Sequence, residues 1–169
     1  MQTGLPSLSV VTPSLNQGRF LEACLRSVLT QSLPPLEYFV IDGGSTDESV
    51  CILHKYDSLL TGWTSRPDRG QADAVNRGVR QCHGDIVAWI NSDDCYLPGA
   101  FEAVSCAMRE HPEAVLVYGV DLSPGVRQPV KTLLTVGWKI LDRQDNCTAY
   151  WKPVGEAEAV PAGEQTAEE

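Results

Sequence analysis

No stretch of the sequence approaches the ~20 consecutive apolar residues that a membrane-spanning helix needs. No charged-then-apolar leader stands at the amino terminus, so no secretory signal is expected. Positive charge is scarce: 13 Lys and Arg against 22 Asp and Glu give a net charge of −9. That balance excludes a nonspecific nucleic-acid binder, which needs a basic face to displace counterions from phosphates. It leaves a nucleotide ligand open, because a metal ion can bridge carboxylates and phosphates. The six cysteines (Cys24, Cys51, Cys82, Cys95, Cys106 and Cys147) form no C-x-x-C pair. A zinc site would need clustered ligands, and Cys82-His83 alone is a weak signal for one. The cysteines are expected as buried free thiols packing as small hydrophobes in a reducing compartment. Neither G-x-G-x-x-G nor a Walker pattern is present, so no standard phosphate cradle is expected. Internal repeats are absent as well.

What is present is an ordinary globular composition, 43% hydrophobic and 21% charged over 169 residues. One domain of this length can bury a true core. Short apolar runs alternate with helical patterns. Leu8 to Thr12 reads as a buried strand ending at Pro13. Leu21, Cys24, Leu25, Val28 and Leu29 follow the spacing of one helix face, and Pro34-Pro35 close that helix. Leu36 to Ile41 reads as a second strand and Asp42-Gly43-Gly44 as a turn. Ser45 and Glu48 have capping-box spacing, which predicts a helix from about Thr46 to Tyr56. A weaker strand is expected at Leu60 to Thr64. A helix over Gln71 to Gln81 would turn Ala72, Val75 and Val79 inward. Asp85 to Ile90 reads as a strand. Leu97-Pro98 would open a helix with Phe101, Val104 and Met108 on one face, and Ala114 to Val120 reads as a further strand. Val130 to Leu141 is apolar enough to pack, as strand or helix. Residues 155–169 carry five Glu and no Lys or Arg. They are expected as a solvated, disordered tail, or as an acidic interaction tail.

Strands separated by helices imply a mainly parallel sheet with helices on both faces. Ligands in such sheets bind beyond the carboxyl ends of the strands. After the first strand come Pro13, Ser14 and Asn16; after the second, Asp42, Gly43 and Gly44. After the third come Arg66, Pro67, Asp68, Arg69 and Gly70; after the fourth, Asn91, Ser92, Asp93 and Asp94. Carboxylates therefore stand on three of four strand ends and should share one rim. Adjacent Asp93 and Asp94 repel unless solvated or neutralised, and a hard divalent ion is a natural partner. A plain alternative is an acidic helix start. Asp42 could accept hydrogen bonds from a base or ribose, and Arg66, Arg69 or Arg77 could meet a diphosphate. An ordinary turn and a solvated surface loop are the corresponding alternatives.

Taken together, these segments resemble family 2 glycosyltransferases of the GT-A fold. The resemblance covers residues 7 to about 120. Val10-Val11-Thr12-Pro13-Ser14-Leu15-Asn16 resembles the first strand and its base-contacting loop, with Leu15 where the family often has an aromatic residue. Ile41-Asp42-Gly43-Gly44-Ser45-Thr46-Asp47 resembles the second strand end, whose first Asp contacts the nucleoside. Asp68-Arg69-Gly70-Gln71-Ala72-Asp73-Ala74-Val75-Asn76-Arg77-Gly78 resembles the loop and helix lining the diphosphate and donor sugar. Asn91-Ser92-Asp93-Asp94 resembles the metal-binding strand end, with Asn91 replacing the first acid of the common D-x-D form.

The fold implied is α/β, a Rossmann-like, mainly parallel sheet flanked by helices and shortened at its carboxyl-terminal side. The implied organisation is a nucleotide-sugar-binding domain over 1–125, a short diverged segment over 126–154 and the acidic tail over 155–169. The resemblance implies a nucleotide-sugar donor, Mn²⁺ or Mg²⁺, and transfer with inversion to a hydroxyl of a glycan, lipid carrier or other acceptor. It places the nucleotide at Thr12, Pro13, Asn16, Asp42 and Asp68. The diphosphate and donor sugar fall to Gly70, Asp73, Asn76, Arg77 and Ser92, and the metal to Asp93 and Asp94. A cytoplasmic chain is implied, reaching an inner membrane surface only through its acceptor. The family's catalytic base is an Asp or Glu beyond the metal motif. Asp121, Asp142 and Asp145 occupy that region without a recognisable base motif, so no catalytic residue is assigned. The rival reading is a silent remnant or binding module that kept the fold. Trp63, Trp89, Trp138 and Trp151 are expected as packing residues, with Trp138 or Trp151 alternatively lining an acceptor groove. A receiver-type signalling domain would need acids just after the first strand, where Thr12-Pro13-Ser14 stand instead.

Overall fold

A computed structural model describes residues 4–112, 114, 116, 117, 134–136, 138–140 and 151–153. The chain divides into two compact units, Met1–Gly137 and Trp138–Glu169. In the first, β1 (Leu8–Ser14), β2 (Glu37–Asp42), β3 (Gly62–Ser65) and β4 (Ile86–Trp89) alternate with α1 (Gly18–Leu29), α2 (Ser49–Tyr56), α3 (Gln71–Val79) and α4 (Ala100–Glu110). β5 (Leu116–Val117) and β6 (Leu134–Val136) complete a sheet of order β3-β2-β1-β4-β6-β5. The first four strands in that order are mutually parallel, and β6 runs antiparallel to β4 and β5. In the second unit β7 (Trp138–Ile140) pairs antiparallel with β8 (Trp151–Pro153). The stretch that reads as either strand or helix thus supplies two strands, β6 and β7. The acidic segment 155–169 lies outside the described residues, as do Asp121, Asp142 and Asp145.

β1 is central and buried along its whole length. Successive side chains leave opposite faces of a strand, so Leu8, Val10 and Thr12 face one layer while Val11 faces the other. Leu8 and Val10 join Leu21, Leu25 and Val28 of α1 and Phe101 and Met108 of α4 in the larger core cluster. Each fully buried Leu or Val contributes about 1.5–3 kcal/mol. The apolar stripe therefore outweighs the tenths of a kcal/mol per residue at stake in helix propensity. Val11 packs with Ile41 and with Ala74 of α3 in a smaller cluster on the opposite face.

Several local expectations shift. α3 buries Ala74, Val75 and Gly78, whereas Ala72 is exposed and Val79 only partly covered. Gly78 is the reason: its missing side chain is what lets the helix settle on Val11. α2 starts at Ser49 instead of Thr46, and Glu48 makes no side-chain cap. The Ser45 hydroxyl that a capping box would use donates to Asp42. α4 begins at Ala100, after Gly99 in a left-handed conformation with φ 82°, so Pro98 lies ahead of its first turn. β3 begins at Gly62, because Leu60 still bonds back to the Tyr56 carbonyl. Of the five cysteines described, only Cys24 is buried; Cys51 and Cys95 are exposed.

Candidate functional site

The carboxyl ends of β1, β2, β3 and β4 carry the residues singled out from the sequence. At the end of β1, Thr12 turns inward. It is 0% exposed, and its hydroxyl lies 2.9 Å from the Tyr38 hydroxyl. It shares strand parity with Leu8 and Val10, so the alternation already carried this signal. Pro13 is buried opposite Ile41. The chain surfaces at Leu15 and Asn16. Asn16 takes the left-handed conformation, φ 52°, which Asn tolerates better than most residues. Its amide donates to Ser45 Oγ at 2.7 Å, and its Oδ1 accepts the Thr46 amide at 2.9 Å. The loop after β1 is thereby fastened to the loop after β2.

Asp42 ends β2 with 0% of its surface exposed. Its Oδ2 accepts the Gly44 amide at 3.1 Å, the Ser45 amide at 2.8 Å and the Ser65 hydroxyl at 2.6 Å. Its Oδ1 accepts the Ser45 hydroxyl. A buried carboxylate needs such partners to offset its lost hydration. The side chain assigned to the nucleoside is thus enclosed by the turn that it organises. Gly44 has φ 89°, open to glycine and strained for other residues. Asp47, three residues on, accepts the Gly18 amide at 2.9 Å and the Ser49 amide at 3.0 Å, joining the starts of α1 and α2. Hydrogen bonding from Ser49, then Gly18, holds its carboxyl below the usual carboxylate range.

Beyond β3, Asp68 accepts the Gly70 amide at 2.7 Å and lies against Gly43, where an added Cβ would stand 3.0 Å from Asp68 Oδ2. Gly70, with φ 104°, leads into α3. Asp73 in its first turn accepts the Arg69 amide at 3.3 Å and sits 4.0 Å from the Arg77 guanidinium. Arg77 is largely covered, its Nη2 buried without a hydrogen bond among the described residues. Asn76 is half-buried. Gln71 donates to Asn91 Oδ1, tying the start of α3 to the end of β4.

At that end Asn91 and Asp94 close a turn, the Asp94 amide donating to the Asn91 carbonyl at 3.1 Å. Ser92 is buried, and Asp93 and Asp94 are exposed. Among the described residues no three His, Cys, Asp or Glu side chains converge on one point. The donor set on offer is therefore the Asp93-Asp94 pair, without Asp42, whose carboxylate is enclosed. Mg²⁺ and Mn²⁺ suit that set, since they take one or two carboxylates and complete their shells with phosphate oxygens and water.

The structure thus brings Asn16, Asp42 and Asp68 to one corner of the rim, and Gln71 links α3 to the Asn91–Asp94 turn. It turns Thr12 and the Asp42 carboxylate away from solvent. Ser45, Ser65 and Gln71 were not singled out from the sequence as site residues. Their partners lie in other strands or loops, or are set by the fold of a turn, so spacing alone gives no signal for them. A cleft of about 490 Å³ lies at the opposite pole, beside Pro6, Asp85, Met108 and Arg109. It sits at the amino ends of the parallel strands, and Asp85 there is already bonded to Ser7. The strand-end rim, where polar side chains and glycine-bearing turns converge, is the better candidate. No helix among the described residues is long and apolar enough to cross a membrane.

Comparison with known proteins bears on the family and the fold. The sequence profile of Glycosyl transferase family 2 matches residues 9–155. A PGL/p-HBAD biosynthesis glycosyltransferase of Mycobacterium bovis is 33% identical over 120 residues, covering 68% of this chain and 46% of that protein. The crystal structure of S. aureus TarS superposes with a TM-score of 0.64 at 26% identity, over 72% of this chain and 23% of that one. A mannosyltransferase of Pyrobaculum calidifontis, solved in complex with GDP-Man and Mn²⁺, shares the fold with a TM-score of 0.56 at 24% identity, over 68% of this chain and 34% of that one. The chain spans less than half the length of these relatives.

Proposed function

Because the chain belongs to Glycosyl transferase family 2, we propose that its strand-end rim binds a nucleotide-sugar donor together with Mn²⁺ or Mg²⁺. The sugar would pass, with inversion, to a hydroxyl of a glycan, lipid carrier or other acceptor. The observation that carries this reading is the hydrogen-bonded closure of the rim. Asn16 joins the ends of β1 and β2, Asp68 packs on Gly43, and Gln71 joins α3 to the Asn91–Asp94 turn.

The nucleoside is assigned to the loop surface around Asn16 and Asp68, with Thr12, Pro13 and Asp42 beneath it. The diphosphate and donor sugar are assigned to the start of α3 and the β4 turn, with Gly70, Asp73, Asn76, Arg77 and Ser92 around them. Arg77 has a buried guanidinium nitrogen without a hydrogen bond among the described residues, a donor suited to a phosphate oxygen. Asp93, with Asp94, would hold the ion. When bound, the ion neutralises charge developing on the departing nucleoside diphosphate. Residues 1–125 are assigned as the donor-binding part, and no residue is assigned as the catalytic base.

Calorimetric titration with UDP, GDP and dTDP, each with and without Mn²⁺, tests the reading. Metal-dependent binding of one nucleotide is expected, and it should be lost in Asp93→Ala. Binding that survives Asp93→Ala unchanged would remove the metal assignment. A folded chain that binds none of the three would favour the silent-module reading.

A further inference from the structure

The Asp42 side chain is enclosed, with 0% of the residue exposed. Three internal donors converge on its Oδ2, the Gly44 and Ser45 amides and the Ser65 hydroxyl, and the Ser45 hydroxyl donates to its Oδ1. We propose that Asp42 is a positioning residue, and that Ser65 acts through it to hold three strand-end loops in the donor-binding shape before the donor arrives. The inference rests on the donor-binding reading of the rim.

Ser65 is the last residue of β3 and pairs in register with Asp42. β3 is an edge strand of four residues. Few ladder bonds fix where such a short strand ends. The Ser65 hydroxyl and the Arg66 amide, which donates to the Asp42 carbonyl at 3.0 Å, pin that end to β2. The loop that follows then lies on glycine backbone. A Cβ at Gly43 would meet Asp68 Oδ2 at 3.0 Å, and one at Gly44 would meet Pro67 at 3.2 Å. On the other side, the Ser45 hydroxyl donates to Asp42 and accepts the Asn16 amide. A continuous relay therefore runs from Asn16 through Ser45 and Asp42 to Ser65. It couples the loops after β1, β2 and β3, with Asp42 at its centre and out of contact with solvent.

The test combines nucleotide titration in Mn²⁺ with amide hydrogen exchange on the full chain. The variants are Ser65→Ala, Ser65→Thr, Asp42→Asn and the Ala/Asn double. Ser65→Ala is expected to weaken binding of the preferred nucleoside diphosphate roughly tenfold, the scale of one hydrogen bond to a charged group. Ser65→Thr, which keeps the hydroxyl, should restore it. The double variant should bind no worse than Asp42→Asn alone, because both act through one relay. Exchange should quicken at Asn16, Gly44 and Ser45 in Ser65→Ala while α1 and α4 keep their protection. Wild-type-like affinity in Ser65→Ala with affinity lost in a folded Asp42→Asn would overturn the inference and make Asp42 a ligand. If Asp42→Asn does not fold, the comparison of Ser65→Ala with Ser65→Thr decides. If the wild-type chain binds no nucleotide, the donor-binding reading fails by itself. The positioning role then stands or falls on whether Ser65→Ala quickens exchange at those three amides.

Discussion

Gly78 offers a quantitative check on how α3 is seated. A Cβ placed there would stand 2.9 Å from Val11 Cγ2, 3.2 Å from Val11 Cβ, and closer still to Val11 Cγ1. Val11 is 0% exposed and packs against Ile41 and Ala74, so it has little room to retreat. In an open helix Gly→Ala is worth about 1 kcal/mol in favour of alanine. Overfilling a packed core costs typically 1–3 kcal/mol, and three short contacts against one buried side chain point to the upper half of that range. Gly78→Ala should therefore destabilise the chain by about 1–2 kcal/mol, lowering Tm by a few degrees at roughly 2–4 °C per kcal/mol. Urea unfolding followed by tryptophan fluorescence measures it. Val11→Ala, which removes both crowding methyl groups, supplies the control. In that background Gly78→Ala should be neutral or stabilising, so the two substitutions should be strongly non-additive. A Gly78→Ala chain as stable as the wild type would falsify the seating of α3 on Val11. In the destabilised single variant, nucleotide binding should fall too, since Asp73, Asn76 and Arg77 ride on the same helix.

Three further outcomes are expected. Asp47→Ala removes the acceptor of the Gly18 and Ser49 amides, and should cost about 0.5–2 kcal/mol in denaturant unfolding, the usual scale for a lost helix cap. A loss under a few tenths would mean that water replaces both bonds. Burial opposes ionisation of Glu37, but hydrogen bonds from Ser9 and His83 outweigh it and hold its carboxyl below the ordinary value of 4.5. A folded-state value below the unfolded one stabilises above about pH 4.5, and that contribution fades as pH falls through the depressed value. Glu37→Gln should accordingly flatten the acid limb of a stability-versus-pH curve, and an unchanged limb would discount the Glu37 cluster. Burial pushes the Cys24 thiol up to about 12. Mass-mapped alkylation at pH 8 should therefore modify the exposed Cys51 and Cys95 first and leave Cys24 until the chain unfolds. Labelling of Cys24 at the rate of Cys95 would refute its enclosure.

The sequence by itself determined the alternation of strands and helices and the mainly parallel character of the sheet. It also determined which segments end at the candidate rim. These are local properties: apolar period, turn residues and breakers repeat within a few positions, and the strand-end rule then names the rim. Apart from Thr12, whose inward turn the strand alternation already carried, the tertiary structure decided which way individual side chains on that rim point. Asp42 reads as an open carboxylate after a strand, yet it is enclosed, because Ser65 lies 23 residues away and meets it only once β2 and β3 are in register. Ser45 has capping-box spacing to Glu48, but its hydroxyl bonds to Asp42 and the Asn16 amide bonds to it, so the helix starts later. The buried face of α3 is set by a residue with no side chain, which a hydrophobic pattern does not register. Long-range hydrogen bonds and close approaches are properties of the packed pair, and neither partner carries them in its own sequence neighbourhood.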